Sequence, residues 1–272
     1  MLVLALDTAT PTVVVGIIEV AAEVDKPVEP GWHALCTRAQ RSLSSGNRHA
    51  EMLGQLIPEV LAEAGVGMRE LSAIVVGIGP GPFTGLRVGM MTAAALADAL
   101  GRPVHGVCTH DAVAAMHAAL AGSPPYGPAA QQGAAVPYRS GMQQKSAPEH
   151  EVVVDRPTVP DEGFVVVTDA RRRECYWARY AASGVRVSGP HVHRPADVLT
   201  RADWRPDGLV IGDPAFSDVL GTEILPASPV PTGLVLAVDD SLTDLSSRPL
   251  EPLYLRRPDA TPPAARKLVT PR

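Results

Sequence analysis

A short apolar run ends in aspartate, a turn follows, and a second apolar run begins. The chain carries this pattern twice. Leu2–Leu6 is apolar, Asp7 closes it, and Thr12–Val20 follows, rich in β-branched residues. Far down the chain Phe164–Thr168 ends at Asp169, then come Ala170-Arg171-Arg172-Arg173 and a further strand-like run, Glu174–Ala181. Each unit reads as a strand hairpin. One supersecondary pattern in both halves of a chain points to a duplicated fold. The match is one of pattern, not of identity.

The segments after each hairpin extend the comparison. In the first half, Val20–Gly31 reads as a polar connection and Trp32–Arg38 as a third strand. Ser45 or Asn47 is placed to cap a helix running to about Ala64, ended by Gly65 and Gly67. Its Met52, Leu53, Leu56, Ile57, Val60 and Leu61 recur at helical spacing, while Pro58 predicts a kink or break. Leu71–Ile78 has the continuous apolar character of a buried parallel strand. A helix is predicted over Phe83–Leu100, ending at Gly101, then a strand over Pro103–Val107 and a helix from Thr109 or Asp111. Three hairpin-linked strands followed by alternating helices and strands describe a ribonuclease-H-like half. In the second half, Val185–His193 is a third strand, Pro195–Arg201 a helix and Leu209–Ile211 a strand. Leu234–Asp239 is too short to assign between helix and strand. The predicted class is α/β: two ribonuclease-H-like halves, with mixed sheets flanked by helices. The expected boundaries are 1–120 and 161–255. Between them, 121–160 is expected to be a flexible insertion. Its 121–151 portion has five Pro and four Gly but no Leu, Ile or Phe, too little apolar surface to offset ordering. Residues 256–272 read as a basic, extended tail.

Composition excludes several functions. The 272 residues are 46% hydrophobic and 19% charged, ordinary for a globular protein that can bury a core without staples. A net charge of −5 argues weakly against the whole chain being a nucleic-acid coat, and 4% aromatic content argues against base-stacking platforms. Cys36, Cys108 and Cys175 form no CxxC pair, and Cys108 reads as a core residue. The amino-terminal stretch has no signal-peptide pattern and no apolar run is long enough to span a bilayer, so the expected compartment is the cytoplasm, with no membrane partner. The eight histidines include no HxxxH or HExxH, and His191 with His193 lacks a third ligand, so no metal site is assigned.

Three motifs have both a functional and a structural reading. Asp7-Thr8-Ala9-Thr10 at a hairpin mouth is where actin-, hexokinase- and Hsp70-type ATPases put amides and hydroxyls on phosphate and an aspartate towards metal. The same turn can simply end a strand. Gly79-Pro80-Gly81-Pro82 links a strand to a helix, a place suited to anions, but its prolines remove amide donors and it is no Walker loop. Gly85, Gly89, Ala93 and Ala97, four apart, form a small-residue ridge that fits either a partner helix or the chain's own sheet. Arg171–Arg173 could meet phosphate or be a solvated hairpin tip.

Four stretches, LALDTAT at 4–10, NRHAEMLGQLIPEVLAEAG at 47–65, GIGPGPFTGLRVGMMTAAALA at 77–97 and VVTDARRRECYWARY at 166–180, closely resemble the TsaB (YeaZ) family. EPLYLR at 251–256 resembles its carboxyl-terminal signature, and Pro82 departs from the family's common Ser. The resemblance implies the duplicated fold above and a role in forming N6-threonylcarbamoyladenosine (t6A) at position 37 of tRNAs that read codons beginning with A. It implies a non-catalytic scaffold subunit, without catalytic residues or a cofactor of its own. The implied partners are a TsaD-like transferase paralogue in a heterodimer, a TsaE-like ATPase, and a second copy when the chain is alone. tRNA would be met only through the complex, and ATP or ADP only at a complex interface. The family associates through helices matching 47–64 and 84–98. This puts His49, Glu51, Met52 and Leu56, with Gly85, Arg87, Gly89, Met90, Ala93 and Ala97, at the expected interface. Asp7, Thr8, Thr10, Gly79 and Gly81 would be the remnant of a nucleotide site. The competing function is a stand-alone nucleotide-dependent acyl or small-molecule kinase, for which Gly212-Asp213, followed at once by Pro214, is a poor second phosphate loop. A third reading is a tRNA-binding module using Arg171–Arg173 and the basic tail.

Overall fold

The computed structural model describes residues 1–21, 34–44, 48–121, 163–204, 208–238 and 250–256. Residues 122–160 of the expected insertion, 257–272 of the expected tail, and the expected caps Ser45 and Asn47 lie outside these. In the first sheet β1 (Leu2–Asp7) forms an antiparallel hairpin with β2 (Thr12–Ala21), which pairs antiparallel with β3 (Ala34–Ser44). On its other side β1 pairs parallel with β4 (Ala73–Gly77), and β4 with β5 (Val104–Val107). The order is β3-β2-β1-β4-β5. The second sheet contains β6 (Phe164–Asp169), β7 (Cys175–Tyr180), β8 (Arg186–His193), β9 (Leu209–Gly212) and β10 (Leu225–Pro226). Its order, β10-β9-β6-β7-β8, repeats the first, with the β6–β7 hairpin standing where β1–β2 stands. The duplication read from the two aspartates is thus the architecture.

Strand β1 explains the layering. Its side chains alternate between faces: Leu4 and Leu6 enter one core, Val3 and Ala5 another. The first face is covered by α1 (His49–Ala64) and α2 (Phe83–Leu100), through Leu53, Leu56, Val60, Leu86 and Ala93 among others. The second is covered by α3 (Thr109–Leu120) and α6 (Pro231–Leu236), through Ala112, Leu234 and Val235. Two single turns, α4 (Pro195–Val198) and α5 (Ser217–Leu220), precede α6.

Several expectations are revised. Helix α1 runs unbroken through Pro58. The carbonyl that loses its bond belongs to Gly54, and both residues lie on the exposed side, where water can satisfy it. The helix begins after Arg48, with no side-chain cap. The third strand continues past the expected Arg38 to Ser44, with Trp32 and His33 outside the described residues, and the helix expected over Pro195–Arg201 is only one turn. The short apolar element resolves as helix α6, and it leaves the second half. Pro231 packs so closely on Gly16 of β2 that a Cβ there would lie 2.7 Å from its ring, and the hydroxyls of Thr232 and Thr37 are 2.8 Å apart. The segment 250–256 also returns to the first half: Leu250 joins the α1–α2 core, and the Leu253 amide donates to the Ile78 carbonyl at 2.9 Å. The span 161–255 therefore contributes to both halves.

Candidate functional site

Asp7 sits at the end of β1 with no solvent exposure. One carboxylate oxygen accepts from the Ala9 amide at 2.6 Å, the other from the Thr109 hydroxyl at 2.6 Å. Burial lifts its pKa from 3.8 to about 6, against the lowering pull of those two donors. The rest of the turn is equally enclosed. Thr8 donates its hydroxyl to the Gly85 carbonyl at 2.7 Å, and His49 Nε2 lies 3.4 Å from the Thr10 carbonyl. A Cβ at Gly81 would overlap the Ala9 backbone, and one at Gly77 the Asp7 carboxylate. Gly79, with φ of 99°, needs the left-handed freedom of glycine to turn the loop over the hairpin. Asp7, Thr8, Thr10, Gly79 and Gly81 are thus brought together as the sequence implied. They meet one another, and the space above the Asp7 turn is filled by this chain's own loop.

The small-residue ridge has the same destination. Gly85 and Gly89 face Thr8: a Cβ on the first would overlap its carbonyl, on the second its hydroxyl. Ala93 and Ala97 are buried in the core beneath α2, with Met90 and Leu56. These six residues of the expected interface are therefore core residues, because the hairpin lies so close under α2. Glu51 and Arg87 are exposed, and His49 and Met52 half-buried. The outward stripe of α2 is Thr84, Arg87, Met91, Ala95 and Asp98, one helical turn apart. Met91 is 68% exposed, uncommon for so apolar a side chain.

Sequence reasoning missed the seam between the halves. Buried His110 of α3 meets the Thr168 hydroxyl at 2.7 Å, and burial, then the Arg186 charge, pushes its pKa down to about 3. Tyr180 donates to Asp111 at 2.7 Å, Arg186 lies 3.5 Å from Asp111, and Tyr176 reaches the Gly81 carbonyl. No local spacing marks such pairs, since partners are up to 95 residues apart. On β8, His193 accepts from the Trp177 indole, while His191 turns to Ser188 and Asp203. Cys108 is buried at the end of β5, and burial holds its thiol up at about 12.

The second aspartate turn repeats the first in part. Asp169 accepts from the Arg171 amide at 2.7 Å, two residues on, as Asp7 does from Ala9. Here, though, the turn is open to solvent. Arg171, Arg172 and Arg173 are all exposed, and all three are left-handed, with φ of 63°, 55° and 62°. That conformation costs roughly 1–2 kcal/mol for each such residue. The tip is closed by the Ala170 amide on the Glu174 carbonyl and buttressed by Arg256, which bonds the Arg171 carbonyl and Glu174. Two residues before Arg256, Tyr254 lies against Phe83 with ring centroids 4.9 Å apart. Arg87 stacks over Phe83 at 3.9 Å and donates to the Tyr254 hydroxyl at 3.1 Å.

The two sheets of matching strand order define an α/β protein with a duplicated ribonuclease-H-like fold. Among solved structures, YeaZ from Pseudomonas aeruginosa superposes with a TM-score of 0.56 at 24% identity, over 87% of this chain and 90% of that one. The YeaZ (TsaB) fold implied by the sequence is the fold found. The chain belongs to the family of the Mycobacterium tuberculosis protein Rv3421c, to which it is 39% identical over 96% of its own length and 94% of the relative's. It is 40% identical to the Mycobacterium leprae protein ML0378 over 96% of its length, but spans only 56% of that longer chain. Residues 43–131 also match the family model of TsaD, tRNA N6-adenosine threonylcarbamoyltransferase. That stretch holds α1, α2, β4, β5 and α3. Among the described residues no helix is long and apolar enough to cross a membrane, and no group of three or more His, Cys, Asp or Glu could hold a metal ion.

Proposed function

We propose that this chain is a non-catalytic subunit that docks on a TsaD-type transferase and is needed, with a TsaE-type ATPase, for t6A formation in tRNA. The YeaZ fold and the transferase-like sequence at 43–131 support a t6A-related function. One observation carries the non-catalytic assignment. The turn that would face phosphate in a nucleotide-binding relative is closed by Gly81 and Gly85, and both Asp7 oxygens are spent on Ala9 and Thr109. A carboxylate so engaged, and with no solvent exposure, is not open to an incoming metal or nucleotide. The docking face is the outward side of α1 and α2: Glu51, His49 and Met52 beside Thr84, Met91 and Ala95, with Arg87 at its edge. A second copy of the chain would take the same face when the transferase is absent.

The test is reconstitution. Purified chain, threonylcarbamoyl-adenylate and unmodified tRNA are combined with and without the transferase paralogue and ATPase, and nucleosides are read by mass spectrometry. Modified adenosine is expected only when the paralogue is present, and in greater yield with this chain than without it. Product from this chain alone, or a yield indifferent to its presence, overturns the proposal.

A further inference from the structure

We propose that this chain itself contacts single-stranded RNA, along a band running from Phe83 and Arg87 across Tyr254 and Arg256 to the Arg171–Arg173 tip. That the nucleic acid is RNA rests on the function proposed above; the band's chemistry stands on its own.

Each link in the band is a direct contact. Arg87 joins Phe83 to Tyr254, the backbone joins Tyr254 to Arg256, and Arg256 bonds the Arg171 carbonyl at the base of the tip. Two aromatic rings stand outward, Phe83 48% and Tyr254 40% exposed, on a chain with only 4% aromatic residues. Among the described residues the other large rings, Phe164, Phe216, Tyr176, Trp177, Tyr180 and Trp204, are buried. Phe83 lies under the Arg87 guanidinium and against Tyr254, so the pair offers a base its half-exposed rims beside guanidinium groups, an aromatic and cationic combination suited to stacking and phosphate contact.

Charge points the same way. The segments of the band hold Arg87, Arg171, Arg172, Arg173 and Arg256 with Asp169, Glu174 and Glu251, five positive groups to three negative, and although Arg171 pairs with Asp169 and Arg256 with Glu174 the balance stays positive where the whole chain is at −5. The tip also places arginine at three successive positions where glycine or asparagine would fit the backbone with less strain. A solvated turn has no need of that sequence. Fanned guanidinium groups on a short left-handed turn suit neighbouring phosphates, which arginine grips bidentately. Proline at 80 and 82 and the enclosed, carboxylate-bearing Asp7 turn make the first half's loop a poor anion contact, whereas the second turn is exposed and cationic.

Fluorescence anisotropy of a labelled anticodon stem-loop RNA against the full chain tests the inference, with a blunt RNA duplex as control. Three phosphate contacts give a slope of log affinity against log salt of about −2, at roughly −0.7 for each contact on a single strand. Arg172→Asn with Arg173→Asn keeps a left-handed-tolerant residue at both positions, so the hairpin persists. It should weaken stem-loop binding tenfold or more and flatten the slope to about −0.7. Phe83→Ala and Tyr254→Ala should each weaken it roughly tenfold with the slope unchanged, and leave duplex binding alone. Circular dichroism melts confirm that each variant is folded.

Stem-loop affinity equal to wild type in all these variants overturns the inference, as does the lack of any wild-type binding at low salt. Variants that keep RNA affinity but lose the transferase paralogue in titration calorimetry also overturn it, by making the band a protein interface. The two proposals fail separately. A wild-type chain that binds the stem-loop through the band but gives no support in reconstitution sinks only the function. One that supports modification while the variants bind RNA normally sinks only the RNA band.

Discussion

Two buried titratable side chains act in opposite senses. Asp7 has its folded pKa raised from 3.8 to about 6, so between those values the folded state holds a proton that the unfolded state has lost. Its contribution to stability therefore falls as pH rises through that window, by about 3 kcal/mol at roughly 1.4 kcal/mol per unit. His110 has its folded pKa lowered from 6.5 to about 3, so in that range the unfolded state binds the extra proton. Its contribution is full above 6.5 and is lost as pH falls. The two slopes oppose each other between pH 4 and 6. Asp7→Asn can keep both bonds, its oxygen accepting from Ala9 and its amide donating to Thr109. Its denaturant-derived stability, relative to wild type, should improve by about 3 kcal/mol between pH 4 and 7. His110→Gln should show the reverse, gaining on wild type as pH falls below 6.5. A difference from wild type that stays constant across pH would mean that neither group is buried as described.

At the scale of single elements, α2 carries two faces that mutation can separate. Gly89→Leu forces a side chain into Thr8, and overpacking of this kind costs on the order of 3 kcal/mol, or roughly 10 °C in melting temperature. Met91→Glu, on the exposed face, should leave the melt within about 2 °C but reduce affinity for the transferase paralogue by tenfold or more. Melting curves paired with titration calorimetry decide both, and a stable Gly89→Leu protein would contradict the packing. The limits of α2 were legible because Pro82 and Gly101 bracket it and its length gives clear periodicity. The side it buries was not. A ridge of Gly and Ala permits close approach by any neighbour, and only the distant hairpin at Thr8 decides which one takes it. For the same reason six of the residues expected at a partner interface are taken up by this chain's own core. Pro58 misled because its cost depends on whether the freed carbonyl can meet water. Helix α6 is six residues long, too short for a period to show. The left-handed arginine tip had no local signal, since arginine is not a residue that announces positive φ.

On the scale of the whole molecule, the two hairpins made the duplicated architecture readable, but not the route by which the chain closes it. Helix α6 supplies Leu234 and Val235 to the core under the first sheet, beside Val3, Ala5, Val14 and Val75. A fragment ending at residue 121 would expose that face. Its one remaining cover is α3, whose buried positions are mainly alanine. We expect such a fragment to be soluble only in denaturant or to lack a cooperative melt, whereas the full chain should unfold in one transition. A fragment with a sharp transition of its own would show that α6 is dispensable to the first half.

The late arrival of α6 also matters while the protein is being made. Synthesis proceeds at about 5–20 residues per second, so on the order of ten seconds separate the emergence of α3 from that of α6. Throughout that interval the apolar face of the nascent sheet lacks the Leu234 and Val235 side chains that complete its core. Cells making this protein must protect that face or tolerate its brief exposure, and slowed translation beyond residue 121 would lengthen the risk of aggregation on the ribosome.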